Sequence, residues 1–145
     1  MTRLLIDTSV LIKWFHDEGE SELASARAIR DAHVRGDLTA HVLDLAIFEV
    51  GNVLVRALHW PATDVGQQLD DLLTIVGAPL IMARDWLHDA AVAAQAHRLS
   101  FYDASWAATA AALGIPLVSA DRRLLAAGLA ESPSAISTRL HLASQ

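Results

Sequence analysis

The stretch Leu4-Leu5-Ile6-Asp7-Thr8-Ser9 constrains this chain more than any other. Three apolar residues without polar interruption suit a strand buried on both faces, the habit of parallel sheets covered by helices. The run then breaks into a carboxylate and two hydroxyls, after which Val10-Leu11-Ile12 resumes an apolar, helix-like pattern. Asp7 is thereby delivered to the carboxyl end of its strand, the edge where open parallel sheets bind ligands. The same residues have a second use, because Asp7, Thr8 or Ser9 can cap the next helix by accepting its free N–H groups.

The rest of the chain alternates short apolar runs with helical patterns. A short helix is predicted from Ser9 to Phe15, broken by the charge and glycine of Asp17-Glu18-Gly19-Glu20. Ser21 can cap a helix running to about Arg35 and stopped by Gly36, before a strand from Leu38 to Val42. Helical spacing recurs from Leu43 to Leu58, and Pro61 suits the first turn of a helix reaching about Val76. A strand at Pro79 to Met82, an Ala-rich helix from Asp85 to Arg98 and a second one ending at Gly114 follow. Ile115 to Ser119 reads as a strand, Arg122 to Ala127 as a helix, and Thr138 to Leu142 as a last edge strand. Strands separated by helices predict an α/β fold, a central parallel sheet of four to five short strands covered by helices on both faces. No linker or repeat divides residues 1–145, so one domain is expected.

Composition narrows the function classes. The chain is 53% hydrophobic with a mean hydropathy of +0.32, yet no run approaches the roughly 20 apolar residues of a membrane span. No membrane association is therefore expected, and the surplus apolar surface must face a core or a partner. Trp60 and the segment from Val65 to Val76 hold more apolar residues than one small core should need, which predicts a homodimer. There is no cysteine and no secretory pattern at the N-terminus, so a cytoplasmic setting is expected. The net charge of −6 argues against a protein that coats nucleic acid through many phosphate contacts, although it leaves room for an enzyme with acids gathered in one pocket.

Four acids fall where this architecture would collect them. Asp7 ends the first strand, Asp103 opens the second Ala-rich helix, and Asp121 follows the strand before it, so all three share one rim of a parallel sheet. Glu49 lies within an apolar helix, between Ile47-Phe48 and Val50, where an unpartnered charge is costly. Singly, each has an ordinary reading. Asp103 and Asp121 can cap their helices for about 1 kcal/mol, and Glu49 can pair with Arg56 or Arg98. Jointly the balance reverses, since crowded carboxylates repel unless protonated or bridged by a cation. An oxygen-only set without cysteine suits a hard ion, Mg2+ or Mn2+, rather than zinc, and none of the seven histidines has the spacing of a zinc site. Two other acid-rich phosphotransfer sites do not fit. Asp7-Thr8-Ser9 lacks the second aspartate of the haloacid-dehalogenase type, and a receiver domain needs a lysine after a late strand where the only lysine is Lys13.

The order of motifs carries a resemblance. Leu5-Ile6-Asp7-Thr8-Ser9-Val10-Leu11-Ile12, Phe48-Glu49-Val50-Gly51-Asn52-Val53-Leu54, Tyr102-Asp103-Ala104 and Leu117-Val118-Ser119-Ala120-Asp121 together resemble a PIN-domain ribonuclease of the VapC toxin type, from Leu4 to about Leu125. The resemblance implies a single PIN-like domain whose four acids, Asp7, Glu49, Asp103 and Asp121, form a catalytic site. It implies Mg2+ or Mn2+ held by Asp7 and Asp103, with Glu49 and Asp121 completing the metal shell or orienting the attacking water. It further implies endonucleolytic hydrolysis of RNA, the role of toxin in a toxin-antitoxin pair, and a homodimer, alone or in a larger complex with a cognate VapB-type antitoxin. Ser119 stands where the family has Thr or Ser, and Asn52 matches an asparagine expected to orient Glu49 by hydrogen bonding. Arg56, Lys13, Arg122 and Arg123 are candidates for holding the RNA backbone. The alternative is a PIN-like scaffold that binds RNA or protein without cutting it. Intact carboxylates favour the enzyme, because a mere phosphate binder has no reason to concentrate negative charge.

Overall fold

The computed structural model describes residues 1–17 and 21–142. Most of the predicted break at 17–20, namely Glu18, Gly19 and Glu20, lies outside the described residues, as do residues 143–145. Strand β1 (Thr2–Ile6) is central in a three-stranded parallel sheet. It pairs on one side with β2 (Leu38–His41), Thr2 opposite Leu38 and Leu5 opposite His41, and on the other with β3 (Leu117–Val118), Leu5 opposite Leu117. Leu4, Leu5 and Ile6 are fully buried. Successive strand residues face opposite ways, so three buried in a row means that both faces of β1 are covered by helices.

Helices fill the connections: α1 (Thr8–Lys13), α2 (Leu23–Arg35), α3 (Leu45–Asn52), α4 (Ala62–Val76), α5 (Arg84–His97), α6 (Phe101–Leu113), α7 (Arg122–Ala126) and α8 (Pro133–Arg139). Their ends follow local chemistry. Gly36 and Gly114 close α2 and α6 with φ of 84° and 65°, a left-handed conformation that a side chain would strain. The helix expected from Leu43 to Leu58 is interrupted, since α3 passes into a wider π-helical turn at Val53–Ala57. Such turns recur beside functional sites. The core gathers Leu11, Ile29, Leu43, Leu54, Leu72, Trp106, Leu124 and Ile136 around the sheet. No helix among the described residues is long and apolar enough to cross a membrane.

Two of the expected strands are corrected. Pro79 to Met82 contributes a single parallel bridge, Leu80 to Leu43, with the Leu80 N–H donating to the Val42 carbonyl at 2.8 Å. Pro79 has no N–H to extend the ladder. The expected edge strand from Thr138 to Leu142 does not form, because Ser132 caps α8, Pro133 occupies its first turn, and Ile136 and Leu140 lie one helical turn apart on its inner side. The edge partner of β3 is Glu131, again a single bridge. The sheet thus has three strands among the described residues where four to five were expected. The apolar surplus of Trp60 and Val65 to Val76 is also largely absorbed. Val65 and Leu72 are buried, Leu69, Ile75 and Val76 pack on the core, and Trp60 meets Phe15 edge-on at 6.2 Å.

Candidate active site

Asp7 leaves β1 at its carboxyl end and is held there from both sides of the sheet. Its Oδ1 accepts from the Ser9 N–H at 3.0 Å, so it caps α1, and from the Ser9 hydroxyl at 2.5 Å. Its Oδ2 accepts from the Ser119 hydroxyl at 2.5 Å. Each hydroxyl is oriented in turn, Ser9 accepting from the Ala120 N–H at 2.9 Å and Ser119 from the Asp121 N–H at 2.9 Å. Each hydroxyl thus donates to Asp7 while accepting from a backbone N–H. This small network stitches the end of β1 to the end of β3, and it serves capping and positioning with one carboxylate. In the sequence Ser119 is marked only as a Thr-or-Ser position and Ser9 only as a capping candidate, because the bond from Ser119 to Asp7 has no local signal.

The other acids arrive from helices. Glu49 reaches in from α3 and its Oε1 accepts from the Thr8 hydroxyl at 2.8 Å, with a further hydrogen bond from the Trp106 side chain. The ordinary alternative, a pairing of Glu49 with Arg56 or Arg98, is not seen among the described residues, and the expected orienting bond from Asn52 is replaced by that from Thr8. Thr8 was legible only as a capping candidate; what marks it is its position beside Asp7. Asp103 sits in the first turn of α6, but the cap is Ser100, whose Oγ accepts the Asp103 N–H at 3.0 Å. That leaves the Asp103 carboxylate for other work. Asp121 does cap, its Oδ1 accepting from Arg123 and Leu124 N–H at 2.9 and 3.2 Å at the start of α7. Of the expected basic residues, Arg123 lies near enough to Asp103 to favour its ionised form, Arg56 and Arg122 are exposed, and Lys13 is buried at 6% exposure.

Asp7, Glu49, Asp103 and Asp121 line one cleft of about 250 Å³, together with Thr8, Ser9, Ile12, Val53 and Trp106. A larger hollow of about 410 Å³, bordered by Thr2, Arg35 and Leu38, opens at the opposite ends of the strands and gathers no acid cluster. In the acid cleft, burial pushes the Asp7 carboxyl up to about 6 against the hydrogen bonds from its serines. Burial raises Glu49 as well, and Asp103 adds to this. Asp103 is itself raised by burial and then by Asp121. These are carboxylates placed together without enough compensating charge.

Such a cleft fits a divalent ion in part. The donors are all oxygen, with neither sulfur nor imidazole, and their mutual repulsion is relieved by a cation. Among the described residues, however, no three acids or histidines converge into a ready-made coordination shell. The arrangement suits a hydrated ion of the Mg2+ kind, which keeps several waters and takes one or two carboxylates directly.

Comparison with known proteins places the fold. No curated protein sequence matches the chain significantly. Among solved structures, it is similar to the crystal structure of PAE2754 from Pyrobaculum aerophilum, with 26% identity, 97% of both chains covered and a TM-score of 0.68. It is also similar to a toxin-antitoxin complex from Klebsiella pneumoniae, with 19% identity, 90% of this chain and 97% of that one covered, and a TM-score of 0.64. At that identity the second likeness is one of fold. The PIN domain model matches residues 4–129, a span that takes in the buried end of β1, all four acids and α7. The chain belongs to the PIN domain family, whose members are generally nucleases and typically use divalent metal ions.

Proposed function

We propose that the protein is a Mg2+- or Mn2+-dependent endoribonuclease, the VapC-type toxin of a toxin-antitoxin pair. The observation that carries this reading is the gathering of Asp7, Glu49, Asp103 and Asp121 in one cleft at the carboxyl ends of the strands. The fold shared with a chain of the Klebsiella pneumoniae toxin-antitoxin complex supports the toxin role. A divalent ion bound here supplies Lewis acidity, lowering the pKa of a water and offsetting charge on the phosphate. Asp7 and Asp103 are the residues to hold it. Asp7 is the more rigid of the two, clamped by two serines, and Asp103 is freed from capping by Ser100. Glu49, positioned by Thr8 and raised by burial, is suited to accept the proton of the attacking water at its carboxylate. Asp121 has one oxygen committed to α7 and contributes charge and water-positioning through the other. RNA is the substrate class, a VapB-type antitoxin the regulating partner, a homodimer the working form, and the cytoplasm its setting.

The test pairs cleavage with ion binding. Purified protein is expected to cut single-stranded or loop RNA with Mg2+ or Mn2+ and not in excess EDTA. Asp7→Asn and Asp103→Asn are each expected to abolish cleavage and calorimetric Mn2+ binding, whereas Asp121→Asn weakens cleavage and keeps some affinity for the ion. Cleavage that persists in EDTA overturns the metal dependence. Parent protein that binds RNA in Mn2+ without cutting it makes the molecule a scaffold.

A further inference from the structure

Two aromatic side chains sit exposed at the lip of the acid cleft, and each directly precedes one of its acids in the chain: Phe48 before Glu49, and Tyr102 before Asp103. Adjacent helical residues point about 100° apart. When α3 and α6 turn Glu49 and Asp103 into the cleft, the same helices leave Phe48 74% exposed and Tyr102 61% exposed beside it. The two rings border a second hollow of about 220 Å³ with Leu45, Glu49 and Asn52. Glu49 lines both hollows, so they adjoin at its side chain. No ring contact joins Phe48 and Tyr102 among the described residues, so neither face is used up by the other.

We propose that this hollow is a nucleobase cleft, in which a base of the substrate stacks on Phe48 or Tyr102 while its neighbouring phosphate lies at the acids. The inference rests on the nuclease reading and adds a residue-level account of how substrate is held. A single exposed aromatic needs no explanation, but two that share a hollow with one of the site's own acids, Glu49, do. Charge argues for a base. With a net charge of −6 and four acids at the cleft, the phosphates offer little attraction of their own, so affinity has to come from uncharged contacts. Stacking on aromatic faces supplies this for single-stranded RNA whatever the base, because every base has a π-face. Asn52 and Tyr102, which border the same hollow, add hydrogen-bonding groups for a base edge.

The test uses adenosine 5′-monophosphate and ribose 5-phosphate with Mg2+, neither of which has a phosphodiester bond to cleave. Proton NMR follows the ring resonances of Phe48 and Tyr102 and the affinity. Adenosine 5′-monophosphate is expected to shift these resonances and to bind about tenfold tighter than ribose 5-phosphate. Phe48→Ala and Tyr102→Ala are expected to erase that advantage, and Phe48→Trp to keep it. Both side chains are exposed, so the variants should fold, which the dispersion of the same spectra verifies. Equal binding of the two probes overturns the proposal. So does an alanine variant that loses the dimer while nucleotide affinity stays unchanged, which makes the surface a protein interface. RNA cleavage by the parent is measured alongside. A parent that cuts RNA but does not distinguish the probes rejects the base cleft alone. One that prefers the nucleotide but never cuts supports the cleft and rejects the nuclease reading.

Discussion

Asp7 does two things that ordinarily compete. It caps α1, which stabilises the helix, and it is buried at 4% exposure among other acids, which penalises its charge. The second effect wins, since its carboxyl rises from the ordinary 3.8 to about 6. The folded protein then holds this proton more tightly than the unfolded chain between those two values, so stability falls as pH rises through that window. At 1.36 kcal/mol per unit, Asp7 costs the metal-free protein about 3 kcal/mol at neutral pH. Glu49 and Asp103, raised in the same direction, add to the slope. Urea unfolding in EDTA is therefore expected to show the parent weakening between pH 4 and 6.5, and Asp7→Asn at least as stable as the parent at pH 7 with a flatter profile. An Asp7→Asn protein that unfolds markedly more easily would make Asp7 a structural cap. Ser119 is the complementary residue. Ser119→Ala leaves Asp7 Oδ2 one donor short and the Asp121 N–H without its acceptor, at a cost of about 1–3 kcal/mol. It is also expected to raise the acidic limb of the cleavage pH profile, while Ser119→Thr keeps both near the parent.

At the scale of elements, the site depends on helix ends more than on helix bodies. β1 and β3 bring their carboxyl ends together, and α1, α6 and α7 all begin at that rim with side-chain caps, Asp7, Ser100 and Asp121. Capping by Ser100 is what separates Asp103 from the ordinary use of an aspartate at a helix start. Ser100→Ala is expected to destabilise the protein by about 1 kcal/mol and to weaken Mn2+ binding, because the first turn of α6 that carries Asp103 frays. Thermal melting and calorimetry read the two effects separately. Should melting fall while Mn2+ affinity stays at the parent's value, Asp103 would not be holding the ion. The π-helical turn at Val53–Ala57 is the counterpart on the remaining wall. It follows Glu49 by one turn and places Val53 on the cleft.

For the molecule as a whole, the apolar surface that remains exposed differs from that expected. Trp60 and α4 mostly serve the core, whereas Ile81, Leu87 and Val92, in and just before α5, stand exposed at 78%, 40% and 69%. Ala90 is the residue of α5 that is fully buried. A homodimer is expected to bury part of this exposed apolar surface, and light scattering at tens of micromolar should give twice the chain mass. Val92→Glu is expected to shift the protein toward monomer without altering the acid cleft. A monomeric parent would remove the dimer from the proposed working form.

Some of this was written in local sequence. The unbroken Leu4-Leu5-Ile6 run specified a strand buried on both faces, and each strand-to-acid step placed Asp7 and Asp121 on a rim, because burial and chain direction are local properties. Gly36, Pro61 and Gly114 marked helix ends for equally local reasons of backbone conformation. Other features had no local signal. A strand needs a partner at the right register, so Leu80 became a single bridge and Thr138 to Leu142 lost to the Ser132-Pro133 helix start. Lys13 ends up buried in the folded chain, although lysine is rarely buried. The bonds of Ser119 to Asp7, 112 residues apart, and of Thr8 to Glu49, 41 apart, exist only once β3 and α3 have docked beside β1. Hydrogen bonds of that kind are decided by distance in space, and only the tertiary structure brings those groups together.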